Sequence, residues 1–221
     1  MRRITGAAFV SLDGVMQAPG GPTEDWTGGF KHGGWLAGLF DDAVGRRIDR
    51  LFGGEFDLLL GRRTYDIFAA FWPYAGDEQR EIRDPFNRAT KHVLTSGDQP
   101  LSWENSRRLP GIDAVAAAKA MAGPDLVIQG SSTLYPQLLA AGLLDELVLM
   151  VFPVILGSGK RLFGAGTPSG TLRMTEHEVT PAGSIIATYV PAGPVETGTF
   201  PSPEPSAAEL ERRARMDAGT W

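Results

Sequence analysis

A mostly parallel, twisted α/β sheet with helices on both faces and an antiparallel hairpin at its C-terminal edge is the architecture the sequence predicts. Three observations lead there. Short buried runs alternate with stretches of helical periodicity along most of the chain, the pattern of strand–helix–strand crossovers. Runs such as DLLLG and DLVIQG are apolar on successive residues, as in strands covered on both faces. The last two strands are joined by Pro181-Ala182-Gly183, which reads as a hairpin. The parallel crossovers are expected to be right-handed.

Taken in order, Ile4–Val10 is the first strand. Ser11–Gly34 follows as a long loop with seven glycines and two prolines, a length that in a compact domain points to function or disorder. Residues 41–53 place Val44, Ile48, Leu51 and Phe52 on one helical face, with acids in the first turn. A buried strand at 57–61 runs into a short helix over 62–70, and Trp72-Pro73 breaks it. A charged helix near 77–89, a strand at 91–96, a short strand near 102–106 and an Ala-rich helix over 113–122 come next. The strand at 125–130 leads into a helix over 131–143, where Pro136 must fall in the first turn. The longest apolar run, 145–156, is a strand, and two more lie near 171–179 and 183–190. These elements make one domain, residues 1–191. Residues 192–221 are a Pro-rich extension. Ser206 and Glu209 there have capping-box spacing for a short terminal helix, while the composition favours a segment without a packed place.

Composition narrows the chemistry. The chain has 221 residues, 43% of them hydrophobic, enough for one sizeable core. It has no cysteine, which removes thiol nucleophiles, thiolate metal sites and disulfides and agrees with a cytoplasmic setting. A net charge of −5 with mixed signs argues against nucleic acid as a partner. No apolar run approaches the ~18–20 residues of a membrane span, and the N-terminal run is too short for a secretion signal. The three histidines, His32, His92 and His177, show no metal-binding spacing, so no metal site is expected.

Four segments place glycines and small polar residues where a buried strand runs into a loop or helix, the edge at which open α/β sheets bind ligands. Gly61, Arg62, Arg63 and Thr64 join a strand to a helix start, a geometry suited to an anion or simply to a turn with solvated arginines. Thr95 and Ser96 follow the strand at 91–96. Gly130, Ser131, Ser132 and Thr133 form a second strand-to-helix turn that matches neither GxGxxG nor the P-loop pattern. Phe152 to Lys160 breaks into a glycine turn with one lysine.

The order and spacing of Ser11-Leu12-Asp13-Gly14, Gly61-Arg62-Arg63-Thr64-Tyr65, Gly130 to Leu134, Asp145-Glu146-Leu147 and Pro153 to Phe163 resemble the dihydrofolate reductase-like superfamily. The likeness is to its branch containing the reductase domain of the bifunctional riboflavin-biosynthesis deaminase/reductase, and it covers about residues 3–191. It implies NADPH on the carboxyl edge of the sheet. Gly61 to Thr64 would hold phosphate, Thr95 and Ser96 the adenosine-side ribose phosphate, and Gly130 to Thr133 the pyrophosphate. Ala7 and Ala8 would lie near the nicotinamide, with Asp13, Gly14 and Val15 folded over it. Relatives carry an arginine after the serine equivalent to Ser96; this chain has Gly97-Asp98, which weakens NADPH against NADH. The nearest counterparts of the folate-protonating acid are Asp41 and Asp42, which read as helix caps, so folate reduction is not implied.

Asp13 is the candidate proton source, set against a turn in which it bonds its own backbone. Phe30, Lys31, His32, Trp35, Tyr65 and Trp72 are candidates for an acceptor pocket, set against core packing for the aromatics and solvent for His32. The expected function is hydride transfer to a small heterocyclic or carbonyl acceptor. The alternatives are a non-catalytic NADP(H)-binding module and the riboflavin-pathway reduction of 5-amino-6-(5-phosphoribosylamino)uracil, which would draw on Lys31, Lys160 and Arg161 for the substrate phosphate. The resemblance also implies a homodimer, to which the apolar run 147–156 and the late hairpin would contribute.

Overall fold

A computed structural model describes residues 1–220. Its eight strands form one sheet in the order β4-β3-β2-β5-β1-β6-β8-β7. They are β1 (Ile4–Ser11), β2 (Phe56–Gly61), β3 (Lys91–Leu94), β4 (Ser106–Leu109), β5 (Asp125–Gln129), β6 (Glu146–Phe152), β7 (Leu172–Val179) and β8 (Ile185–Pro191). The first six pair in parallel. β8 is antiparallel to both β6 and β7, which makes the expected hairpin edge. The helices are α1 (Asp42–Phe52), α2 (Arg62–Phe71), α3 (Arg80–Arg88), α4 (Ile112–Ala120), α5 (Leu134–Ala140) and α6 (Ala207–Asp217).

Two cores sandwich the sheet. On one face Val44, Ile48 and Phe52 of α1, Tyr65 of α2 and Phe86 of α3 pack on Leu58, Leu60, Val93, Val127, Val148 and Met150. On the other, α4 and α5 deliver Val115, Ala118, Leu134, Tyr135 and Leu138 onto Ile4, Ala8, Leu59, Leu126, Ile128 and Leu147. Every residue of β2 is buried, as its unbroken apolar run requires. At the amino edge of the sheet a buried cluster ties the ends together: Asp57 bonds Arg2, His92 Nε2 at 3.2 Å and the Thr90 N–H at 3.0 Å.

Several boundaries differ from the sequence reading. The strand expected at 102–106 begins at Ser106, because the Trp103 N–H donates to Tyr65 Oη at 2.8 Å and Asn105 turns the chain at φ 57°. The helix expected from residue 77 opens as a 3₁₀ turn, Asp77–Gln79, and becomes α-helical at Arg80. The helix expected over 131–143 contracts to α5 because Ser131 takes φ 57°, and Pro136 then lies in its first turn. The apolar run 145–156 stops pairing at Phe152, where Pro153 cannot donate to a ladder. In the extension, α6 forms: Ser206 Oγ accepts from Glu209 N at 3.2 Å, but the Glu209 carboxylate turns to Arg212 and Arg213. The cap is therefore half a capping box, and α6 buries none of its residues.

Candidate active site at the carboxyl edge of the sheet

β2 passes into α2 with no loop: Gly61 is both the last strand residue and the helix N-cap. The first-turn N–H groups of α2 therefore stand at the sheet edge without helical partners. β5 ends beside it, and the turn through Gly130 (φ 73°) and Ser131 (φ 57°) leads to α5. Hydrogen bonds lock the two turns together. Gly61 N donates to Ser131 Oγ at 2.9 Å, and Ser131 N donates to Thr64 Oγ1 at 3.0 Å. A Cβ at residue 130 would stand 3.1 Å from Thr64 Cγ2, so the approach needs glycine's conformation and its lack of bulk. Thr64 and Ser131 thus each accept one backbone N–H for the fold and keep one O–H to donate.

A cleft of about 400 Å³ opens across these turns, lined by Arg62, Arg63, Leu94, Thr95, Ser96, Pro110, Gly111, Thr133 and Gln137. Arg62 is held by both Asp66 carboxylate oxygens at 2.9 Å and by the Gln99 carbonyl at 2.9 Å. Its guanidinium stays fully protonated, favoured first by the Asp66 hydrogen bond. Arg63, exposed one position further on, makes no ion pair among the described residues. Thr95 Oγ1 accepts from Gly97 N at 3.2 Å, and Ser132 sits half-buried on the β5–α5 turn. The cleft therefore offers guanidinium groups, hydroxyls and the start of a helix, and almost no negative charge beyond Asp66, the donor set for phosphate.

Beside it, Ala7 and Ala8 are fully buried and face opposite cores. Ala7 stands in register with Gln129, and its carbonyl accepts from Tyr135 Oη at 3.3 Å. Gln129 Oε1 is buried with no hydrogen-bond partner. The sequence reading passed over Gln129; the signal was a lone amide closing an otherwise apolar strand. A buried amide oxygen without a partner among the described residues can accept one further hydrogen bond.

The loop after β1 is stapled to the segment after β6. Leu12 N donates to the Val154 carbonyl at 2.8 Å, Met16 N to that of Lys160 at 2.9 Å, and Leu162 N to that of Gly14 at 3.0 Å. Asp13 is the pin: it accepts from Ser11 Oγ at 2.6 Å, Leu156 N at 3.1 Å and Gly157 N at 2.9 Å, with Arg161 at 3.5 Å. These bonds, the Ser11 hydroxyl first, hold its carboxyl down at about 2. Val15 is buried with Ala18, Phe30 and Leu156. A smaller cavity of about 270 Å³ lies here, lined by Gln17, Thr27, Gly28, Phe30, Ser158, Gly159 and Lys160. Lys160 is neutralised by Asp25 and donates to Thr27 Oγ1 at 2.7 Å.

The remaining predicted pocket residues scatter. Trp35 donates to the Gln17 carbonyl at 2.9 Å and packs edge-on against Phe152. Lys31 and His32 are exposed, His32 against the Phe30 ring. Tyr65 is buried, its hydroxyl taken by Trp103 and Ser106. Trp72 packs with Phe68, Phe71 and Phe86 at the far end of α2, about 15 Å down the helix from the cleft. Tyr65 and Trp72 line neither cavity. Asp41 is a helix cap, accepting from Ala43 and Val44 N–H at 3.1 Å. Among the described residues no cluster of metal-ligating side chains occurs, and no helix is long and apolar enough to cross a membrane.

Sheet order, hairpin edge and an edge cleft together define the dihydrofolate reductase-like fold. Residues 2–186 match the RibD C-terminal domain family, and the chain belongs to it. The uncharacterised Bacillus subtilis protein YyaP is 26% identical over 169 residues, 73% of this chain and 80% of that one. Among solved structures, a putative riboflavin biosynthesis protein from Shewanella sp. PV-4 superposes with TM-score 0.60 at 20% identity, covering 86% of this chain and 99% of that one. A pyrimidine reductase-like protein from Corynebacterium diphtheriae gives 0.58 at 15% identity, with 86% and 92% covered. Enterococcus faecalis dihydrofolate reductase, complexed with NADP(H) and RAB-propyl, gives 0.55 at 15% identity, with 86% and 96% covered. Family and fold support a reductase-type function.

Proposed function

We propose that the chain is an NADPH-dependent reductase of a small heterocyclic or carbonyl acceptor. The observation that carries this reading is the cleft on which Arg62, Arg63, Thr95, Ser96 and Thr133 converge from three strand ends. Its donor set suits a phosphorylated cofactor, and its volume suits one half of a dinucleotide. In this reading Arg63 and the first turn of α2 hold phosphate, Thr95 and Ser96 take the adenosine-side ribose phosphate, and Gly130 to Thr133 seat the pyrophosphate. Ala7, small and buried beside Gln129, lies beneath the edge at which a flat ring would stack, while Gly14 and Val15 close that edge. The reduced nicotinamide supplies the hydride when bound. The chain's own residues supply placement and exclusion of water. Gln129 Oε1 accepts a hydrogen bond from an N–H or O–H of the acceptor molecule. Asp13 anchors the loop: ionised at neutral pH and already saturated with donors, it has no proton to give, so the acceptor's proton comes from solvent.

The test is titration of the purified protein with NADPH, read by quenching of tryptophan emission and energy transfer to the reduced nicotinamide. Saturable binding that an Arg62→Ala, Arg63→Ala double variant weakens at least tenfold supports the reading. No binding at millimolar cofactor overturns it.

We also propose a homodimer. The β7–β8 hairpin at the edge of the sheet exposes Met174, Val179 and Ile185, and the segments after β1 and β6 expose Leu12 and Ile155. Light scattering of wild type and of Val179→Lys, Ile185→Lys tests it: a dimer converted to monomer is expected, and a wild-type monomer at 100 μM refutes it.

A further inference from the structure

In the reading above the nicotinamide lies at Ala7 and Gln129, where β1 adjoins β5. The cleft for the rest of the cofactor occupies the ends of β2 to β5, so the acceptor's side of the ring is the edge over β1 and β6. There, on the α1 face, Phe9 stands two residues beyond Ala7, about 7 Å further along the strand, in register with Met150. Its ring meets Phe152 edge-on at 6.0 Å, and Phe152 meets Trp35 at 5.7 Å. Phe9 and Trp35 are only half-buried, and the one polar atom of the three rings, Trp35 Nε1, is already bonded to the Gln17 carbonyl. This corner offers aromatic surface.

Its charge is opposite in character to that of the cleft. The loop after β1 and the segment after β6 carry three lysines and arginines. Lys160 is paired with Asp25, whose side chain is 9% exposed, and with Thr27 Oγ1. Arg161 bonds the Asp13 carbonyl and stands 3.5 Å from the Asp13 carboxylate. Lys31 is exposed, and a lone exposed lysine holds an anion weakly at physiological salt. Besides Asp13 and Asp25, the same loop carries Glu24 and Asp41, and Asp42 opens α1. A phosphate drawn to Lys160 would leave Asp25 buried without its counter-ion, and one drawn to Arg161 would face Asp13; both set anion against anion. Resting on the cofactor reading above, we propose that the acceptor is an uncharged aromatic or heteroaromatic molecule, without phosphate or carboxylate, lying against Phe9 and Trp35 and donating an N–H or O–H to Gln129 Oε1. Selection works by charge: the arginine-bearing cleft takes the cofactor's phosphates, and the carboxylate-rich edge turns away an anionic acceptor.

Calorimetric titration of two matched pairs of probes, riboflavin with flavin mononucleotide and uridine with uridine 5′-phosphate, into protein saturated with NADP+ tests this. Wild type is expected to bind at least one pair, and the unphosphorylated member at least fivefold more tightly. Phe9→Ala weakens that member at least tenfold with NADP+ affinity within twofold of wild type; Phe9→Leu replaces it if thermal unfolding shows that the alanine variant does not fold. Asp25→Asn frees Lys160 and raises affinity for the phosphorylated member at least fivefold. Equal or tighter wild-type binding of the phosphorylated member, binding of neither pair, full affinity in the Phe9 variant, or unchanged phosphate affinity in Asp25→Asn would each overturn the proposal and leave the cofactor reading standing. Failure of the wild type to bind NADP+ or NADPH removes the reading and this inference together.

Discussion

Lys91 opens β3 with no exposed surface, its Nζ donating to the Asn87 carbonyl at 2.7 Å and standing 4.2 Å from the centre of the Trp103 ring. Burial pushes its pKa down from 10.5 to about 8, against the attraction of Glu104 and Asp57. The sign follows from proton counting. Below pH 8 the lysine is charged in both folded and unfolded chains, and folding bears the full cost of burying the charge. Between pH 8 and 10.5 the unfolded chain binds the proton and the folded one has released it, so stability rises with pH. The shift corresponds to about 3 kcal/mol in full, of which about 1 kcal/mol is gained between pH 7 and 9. Lys91→Met keeps the stem's volume and removes the titration. Urea unfolding of both proteins at pH 7, 8 and 9 isolates the lysine, because every other titrating group cancels in the difference. Wild type is expected to gain about 1 kcal/mol on the variant across that range. Parallel curves would show that Lys91 keeps an ordinary pKa, through a route to water that the structure does not provide.

Three further outcomes follow from the carboxyl edge. Gln129→Leu removes an unpaired buried oxygen, so it is expected to raise stability by about 1 kcal/mol and leave NADPH affinity unchanged, while raising the acceptor KM at least tenfold once an acceptor is in hand; thermal unfolding and cofactor titration check the first two arms. Ser131→Ala leaves the buried Gly61 N–H without its acceptor and is expected to cost about 1–3 kcal/mol in urea unfolding and to weaken NADPH binding as the two turns separate. Asp13→Asn is expected to lower the melting temperature and weaken cofactor binding by freeing the loop after β1. With its carboxyl held at about 2, the stability Asp13 contributes is present above the ordinary 3.8 and lost only as pH falls toward 2. The pH–rate profile between 5 and 9 therefore keeps its shape in the variant, and a lost limb in that range would restore Asp13 as a proton donor.

What could be read in the sequence was whatever depends on short-range pattern. Continuous apolar runs mark β2 and β5 because both faces of those strands are covered, and a glycine or small polar residue after each marks the ligand edge. Long-range pairings were invisible to such a reading. Nothing in GRRTY or QGSST says that the Thr64 and Ser131 hydroxyls accept from backbone N–H groups, since the bonds join residues 67 and 70 apart. Asp13 read as a proton source because, beside the neighbouring Ser11 hydroxyl, two of the partners that hold it ionised, Leu156 and Gly157, arrive from the segment after β6. Trp72 read as a pocket residue because its sequence distance from Arg62 hides the direction of α2, which carries it away from the cleft.

The two ends of the sheet treat polar groups in opposite ways, and this bears on how pH acts on the molecule. At the amino edge Arg2, Asp57, His92 and Lys91 are buried and most of their polar atoms are satisfied within the fold. Burial holds His92 neutral, its pKa below the ordinary 6.5, so the unfolded chain takes up a proton first and stability falls as pH drops through that region. Asp57 is held ionised by the Thr90 N–H, His92 and Arg2 in spite of burial, so it withdraws its own contribution at lower pH, below 3.8. Both losses run in the same direction, toward acid. At the carboxyl edge the Asp66 hydrogen bond holds the Arg62 guanidinium protonated, and the hydroxyls and amides around it carry no charge. Acid is therefore expected to unfold the protein from its amino edge before it alters the charge of the cleft, so cofactor affinity per folded molecule should stay level from pH 8 down to the onset of unfolding. A binding constant that fell well before the loss of tertiary signal would point to a titrating group in the cleft itself, with the cofactor's own phosphomonoester, near pH 6, the first to examine.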